Sequence, residues 1–245
     1  MLPFKYMMKG TILLKDMEER EMIKAIVFDL DGTIIDTESS WYTALVDIYG
    51  EYGATLTLEQ YSTCIGTSLD AFDPYEHLIK QGELDVTLDI VKDKVKQRYD
   101  EHMLKEQVRP GVPEYLEQAK AAGLKLAVAS SSPREWVERY LNQLGLLHYF
   151  DVICTASEVK QVKPDPELYE LALQKLGVRP EEAVAIEDSP NGARAAVAAG
   201  IHCIVVPNPI TKTLIFDIPH QRVNSLAELN FQDLMTKPLQ TTHNG

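Results

Sequence analysis

The sequence predicts an α/β fold: a doubly wound parallel sheet covered by helices on both faces, carrying an all-helical block inserted after the first strand. Three observations carry this expectation. From residue 124 to 206, short apolar runs alternate with segments of helical periodicity. Between residues 38 and 106 the periodicity is helical throughout, without a strand pattern. The length, 245 residues, suits one large domain with a smaller insertion and buries a sizeable core without disulfide or metal staples.

The first strand is the run Ala25-Ile26-Val27-Phe28, which passes straight into Asp29-Leu30-Asp31-Gly32-Thr33. Segments 41–52, 69–81 and 88–105 then space their apolar residues as helices do. Thr57-Leu58-Glu59-Gln60 resembles a helix start, with Thr57 as cap and Gln60 at the position that reaches back to it. In 88–105, Ile90, Val91, Val95 and Tyr99 form one stripe, which reads as a packing face. Arg109-Pro110-Gly111-Val112-Pro113 ends the helical block. Beyond it, strands are expected at 124–129, 152–155, 183–186 and 201–206, and helices at 133–144, 166–176 and 191–199. Gly177 and Gly200 stand where the last two helices should stop. The expected organisation is an extension over 1–21, a Rossmann-like core over 22–37 and 107–232, the helical block over 38–106, and a tail over 233–245 that is polar from Gln240.

The composition, 45% hydrophobic and 25% charged, is that of a globular protein. A formal net charge of −13 argues against nucleic acid and anionic membranes as partners. Cys64, Cys154 and Cys203 are scattered, which points to reduced thiols in a cytoplasmic protein, with Cys154 and Cys203 as core packing. No apolar run approaches the roughly 20 residues of a membrane span. A monomer is expected.

Candidate chemistry collects at the strand ends. In an open parallel sheet, ligands bind beyond the carboxyl ends of the strands. After the first strand come Asp29 and Asp31; after the second, Ser130-Ser131-Ser132; ahead of the 166–176 helix, Lys163-Pro164-Asp165; after the fourth, Glu187-Asp188-Ser189. Carboxylate oxygens suit Mg²⁺, while a lysine and hydroxyls suit phosphoryl oxygens. An EF-hand is excluded, because Ile34-Ile35 occupy positions that should be polar and the later acidic ligands are missing. Asn191 either contacts metal-bound water or caps its helix. None of the six histidines lies near these motifs.

The ordered set Asp29-Leu30-Asp31-Gly32-Thr33, Ser130, Lys163-Pro164 and Glu187-Asp188 resembles the haloacid dehalogenase superfamily over residues 22–209. The helical insertion is similar to that of the branch containing β-phosphoglucomutase and phosphoglycolate-type phosphatases. The resemblance implies a Rossmann-like sheet with the first strand between the second and fourth. It implies Asp29 as the nucleophile that becomes an aspartyl-phosphate, and Asp31 as acid toward the leaving oxygen and then base toward water. It further implies Mg²⁺ on Asp29, the backbone carbonyl of Asp31 and Asp188, with Glu187 acting on the metal through water. Ser130, Ser131 and Lys163 would bind the phosphoryl group.

The presence of Asp31 separates phosphatases and phosphomutases from the dehalogenase and phosphonatase branches, which lack that acid. The β-phosphoglucomutase pattern has a histidine twelve residues after the nucleophile and an arginine after Gly-x-Ser in the insertion; this chain has Trp41 and Leu69. The expected function is therefore a Mg²⁺-dependent phosphatase of a small phosphorylated metabolite, the alternative being a β-phosphoglucomutase-like mutase. Hinges are expected at 35–38 and 106–110, with Trp41, Tyr42, Thr67 and Ser68 as candidates for specificity. We predict that deleting residues 1–21 leaves cooperative unfolding and turnover intact; loss of either would overturn their reading as an extension.

Overall fold

The computed structural model describes residues 22–62, 72–218 and 221–236. The expectations placed on residues 1–21, Cys64, Thr67, Ser68, the start of the 69–81 segment and the end of the tail lie outside them. Six parallel strands form one sheet in the order β3-β2-β1-β4-β5-β6: β1 Ala25–Phe28, β2 Lys125–Ser130, β3 Val152–Thr155, β4 Ala183–Glu187, β5 His202–Val205 and β6 Gln221–Arg222. This is the Rossmann-like arrangement, with β1 between β2 and β4. Phe28 stands opposite both Val128 and Ile186, so the loops leaving β1, β2 and β4 emerge side by side.

The two faces of the sheet differ in grain. Ile26 and Phe28 point into a core of large residues shared with Leu126, Val128 and Ile186. On that side lie α5 (Val112–Ala121) and α6 (Arg134–Gln143). Ala25, Val27, Ala127, Ala129 and Ala185 make the other face. Short side chains let α7 (Glu167–Leu176) and α8 (Pro190–Ala198) lie close against it. Gly177 ends α7 in the left-handed region, at φ 65°.

The insertion contains α1 (Thr37–Glu51), α2 (Leu58–Ser62), α3 (Pro74–Gln81) and α4 (Leu88–Met103). Ala44, Leu45, Ile48 and Tyr49 of α1 are buried in one cluster with Val91, Val95, Tyr99 and Met103 of α4. The expected stripe is thus a packing face, except that Ile90 is exposed. Arg98 clamps the pair by donating to Asp47 at 3.1 Å and Glu51 at 2.6 Å. Thr57 and Gln60 cap each other as the sequence suggests: Thr57 N donates to Gln60 Oε1 at 2.9 Å, and Gln60 N to Thr57 Oγ1 at 3.2 Å. Both passages into the insertion run together, because Ile35 bridges Asp31 on one side and Val108 on the other.

Differences from the expectation have local causes. Helix α1 begins at Thr37, ahead of the expected 41, because Asp36 accepts from Ser39 N at 2.9 Å and caps it. Helix α5 has no counterpart in the sequence reading. It starts after Gly111, whose φ of 87° and approach to Ala227 N (2.2 Å from a notional Cβ) exclude a side chain. A final helix, α9 (Phe231–Thr236), runs past the boundary set at 232, since Leu234 packs into the core. Among the described residues, no helix is long and apolar enough to cross a membrane.

Burial lowers the His202 imidazole at the head of β5 from 6.5 to about 4, and its Nε2 has no hydrogen-bond partner among the described residues. An unfolded chain therefore takes up this proton first as the pH falls. The contribution of neutral His202 is complete above pH 6.5 and declines toward pH 4. We predict that His202→Gln removes this part of the slope in denaturant unfolding measured across that window; a slope identical to that of the parent would overturn it.

Candidate active site

The four strand-end motifs converge on one cleft of about 520 Å³. Asp29 follows β1 directly and is held there by its own N–H, which donates to Ile186 O at 2.9 Å. Lys163, from the loop between β3 and α7, donates to Asp29 Oδ1 at 2.5 Å and to Glu187 Oε1 at 2.6 Å. The Tyr169 hydroxyl donates to the same Glu187 oxygen at 2.6 Å. All four side chains are buried or nearly so. Oxygens of Asp29, Glu187 and Asp188 lie within 4.8 Å of one another.

Three carboxylates against one ammonium leave the centre short of positive charge. Burial pushes Asp29 up to about 8; Lys163 works against this, while Glu187 and Asp31 add repulsion. Asp188 is raised well above the usual carboxylate range, by burial and then by Glu38, Asp29 and Glu187. Burial opposes the charge on Lys163, but Asp29 and Glu187 outweigh it and hold the ammonium above its ordinary value. Asp29 Oδ2 is buried and has no hydrogen-bond partner among the described residues. Clustered hard oxygens and an excess of negative charge fit a divalent cation of the Mg²⁺ type.

Asp31 sits differently. Its Oδ2 accepts from Ser132 Oγ at 2.8 Å and Ser130 Oγ at 3.2 Å, and its Oδ1 accepts from Trp136 Nε1 at 2.8 Å. The Asp31 carboxylate is outside the acidic cluster. Ser130 is fully buried and accepts from Ser132 N at 3.0 Å, whereas Ser131 is exposed and lines the cleft. Asn191 does not cap α8. Ser189 does, accepting from Gly192 N at 3.1 Å, because it stands one residue before the Pro190 that opens the helix. Asn191 lines the cleft and accepts from Arg194 at 3.0 Å.

Two glycines are required by the carboxylates. Gly32, at φ 85°, lies where a Cβ would stand 2.4 Å from Asp188 Oδ2. A Cβ on Gly192 would stand 2.0 Å from both oxygens of Glu187.

Sequence reasoning missed several partners. Asn208, three residues beyond β5, donates to Asp188 Oδ2 at 2.8 Å and to Glu38 Oε2 at 3.0 Å. Extending the strand-end search by one more strand would have found it. Glu38, in the first turn of α1, lines the cleft, and burial raises it to about 7 against the Asn208 bond. Ser132 sat in a motif already noted, but Trp136 and Tyr169 carried no signal beyond helix periodicity. Trp41 and Tyr42 do not line the cleft as expected. Trp41 packs on Tyr99 at 4.5 Å, and Tyr42 packs on Tyr61 at 5.1 Å, because the apolar face of α1 turns into the insertion.

Comparison with known proteins extends this picture. The family model described as haloacid dehalogenase-like hydrolase matches residues 26–206. The chain is 44% identical over 214 residues to "Putative phosphatase YhcW" of Bacillus subtilis, covering 87% of this chain and 97% of that protein. It is 39% identical over 186 residues to "Phosphorylated carbohydrates phosphatase" of Thermotoga maritima, covering 74% and 84%. The crystal structure of CbbY from Rhodobacter sphaeroides in complex with phosphate superposes with a TM-score of 0.64 at 32% identity, covering 84% of this chain and 96% of that one.

Gly192→Ala places its methyl group against Glu187 and should force that carboxylate off Lys163 and Tyr169. We predict a loss of about 1–3 kcal/mol in urea unfolding. This is opposite in sign to the ~1 kcal/mol that alanine gains over glycine inside a helix; stabilisation would overturn the close approach.

Proposed function

The chain belongs to the haloacid dehalogenase-like hydrolases, and on that footing we propose that it is a Mg²⁺-dependent phosphatase of small phosphate monoesters, forming an aspartyl-phosphate on Asp29. One observation carries the reading: the buried Asp29 carboxylate has one oxygen held by Lys163 and the other without a partner. A nucleophile needs one free oxygen, and a fixed one to aim it.

Asp29, Asp188 and the backbone carbonyl of Asp31 would hold Mg²⁺, with Asn208 fixing the orientation of Asp188. When bound, the ion supplies positive charge that offsets repulsion between the carboxylates and a phosphate dianion. The Asp29 oxygen attacks phosphorus in line, the ester P–O bond breaks, and Asp31 gives its proton to the departing oxygen. Water then attacks phosphorus, Asp31 takes its proton, and the bond to Asp29 breaks, releasing phosphate. Lys163 remains charged throughout and draws in the phosphoryl oxygens, joined by Ser130 at the end of β2 and Ser131 on the loop after it. Glu187 keeps Lys163 in place.

The helical block over 38–106 would close over the cleft about the 35–38 and 106–110 linkers, limiting substrates to small metabolites. A phosphorylated carbohydrate is the first class to test, since a 39% identical relative is named for it. A mutase reading is weaker: the chain lacks the histidine and the insertion arginine of the β-phosphoglucomutase pattern, having Trp41 and Leu69 instead. We place the protein in the cytoplasm as a monomer.

We predict phosphate release from a panel of sugar, glycolate and nucleoside monophosphates with Mg²⁺, abolished by metal chelation. Asp29→Asn should reduce turnover by about 10³-fold or more while unfolding stays cooperative. A clean preparation of that variant retaining a few per cent of activity would overturn the nucleophile assignment. Isomer conversion faster than phosphate release, with a bisphosphate activator, would favour the mutase.

A further inference from the structure

We propose that Trp136 is the positioning residue for the acid–base carboxylate, fixing the orientation of Asp31 and tying it to the helical insertion. The inference rests on the phosphatase reading above. Three features lead to it.

The first is the hydrogen bond. Trp136 Nε1 donates to Asp31 Oδ1 at 2.8 Å. An indole N–H can only donate, so it holds Oδ1 as an acceptor and leaves the transferable proton to Oδ2. The neighbours of Oδ2, Ser130 and Ser132, are hydroxyls, which rotate to donate or accept and so tolerate both protonation states. The carboxyl group thus has one locked oxygen and one adaptable oxygen. This suits a residue that must give a proton in one half-reaction and take it back in the next.

The second is how Trp136 is held. Its ring stacks on Tyr99 of α4, with centroids 6.0 Å apart and planes 7° from parallel. Tyr140 meets it edge-on at 4.9 Å and 77°. Tyr99 in turn carries Trp41 of α1 at 4.5 Å. The indole can rotate only if these rings move, so its N–H keeps its aim while the insertion stays seated.

The third is the route this makes. Asp31, Trp136, Tyr99 and Trp41 form a continuous line from the strand-end loop, through α6 of the core, to the two long helices of the insertion. Tilting α4 away from the core removes one side of the slot that holds the indole. Proton transfer to the leaving oxygen is then efficient only with the insertion closed, when bulk water is also excluded.

Leaving-group chemistry tests this. An alkyl alcohol is a poor leaving group and needs the proton, whereas p-nitrophenolate departs without it. Trp136→Phe keeps an aromatic ring against Tyr99 and deletes the N–H. We expect kcat/KM for an alkyl phosphate to fall about ten- to a hundredfold, the usual worth of a hydrogen bond to a charged group. The loss for p-nitrophenyl phosphate should be at least about tenfold smaller. In an Asp31→Asn background, adding Trp136→Phe should cause no further loss, because the indole acts through that carboxylate. Equal losses on both substrates, or a full additional loss on top of Asp31→Asn, would overturn the proposal. Absence of turnover in the unsubstituted protein with either ester would instead overturn the phosphatase reading.

Should Trp136→Phe fail to unfold cooperatively, the intact chain gives a second readout. It contains two tryptophans, so its indole N–H region holds two signals, assigned with Trp41→Phe. The Trp136 signal should shift upfield in Asp31→Ala; an unmoved signal would overturn the hydrogen bond.

Discussion

The ion triad Asp29–Lys163–Glu187 is the constraint around which the rest is arranged. An ammonium buried among carboxylates is tolerable only when every partner is in place, since desolvation otherwise exceeds the attraction. Glu187 therefore has Tyr169 on one oxygen and the N–H of Asp188 at 3.2 Å on the other. Gly192 has no side chain because that carboxylate occupies the space. The alanine face of the sheet serves the same end, letting α7 and α8 approach closely enough to bring Tyr169 and Gly192 up to the charges. Packing and electrostatics are here a single problem of holding Lys163 between two acids.

The two acids after β1 are treated in opposite ways. Asp29 is kept dry, pushed up to about 8, and given one ion-pair partner. Asp31, two residues on, receives three donors and faces the β2 loop. β1 ends at Phe28, ahead of both acids, so the second carboxylate is free to leave the line of the strand before Gly32 turns the chain at φ 85° against Asp188. Alternation along a strand would have kept both acids on one side.

Much of the fold was legible because parallel strands buried on both faces read as unbroken apolar runs, as β1 and the first four residues of β4 do. What escaped were elements defined by tertiary contact. The polar pair Gln221–Arg222 pairs only as a sheet edge, and α9 is six residues long and anchored by Phe231 and Leu234. In the site, residues at strand ends could be gathered from topology alone. Trp136, Tyr169 and Glu38 could not, because each lies on a helix where periodicity reports burial and nothing about which carboxylate the polar tip will meet. Trp41 and Tyr42 show the converse. Both were candidates for specificity at the interface of the insertion, yet the helix they sit on turns them into its own packing.

The paired linkers at Ile35 and Val108 have a consequence for how such a protein can diversify. Chain enters and leaves the helical block through a single β-bridge. Arg109 then fastens the return strand to the carbonyls of Gly32, Val206 and Pro207. The block is a cassette in a socket: what lies between the two linkers can change in length or sequence as long as Glu38 still meets Asn208 and Tyr99 still meets Trp136. Variation of the insertion is thereby channelled through a clasp only a few residues wide and the side chains that seat the block on the core.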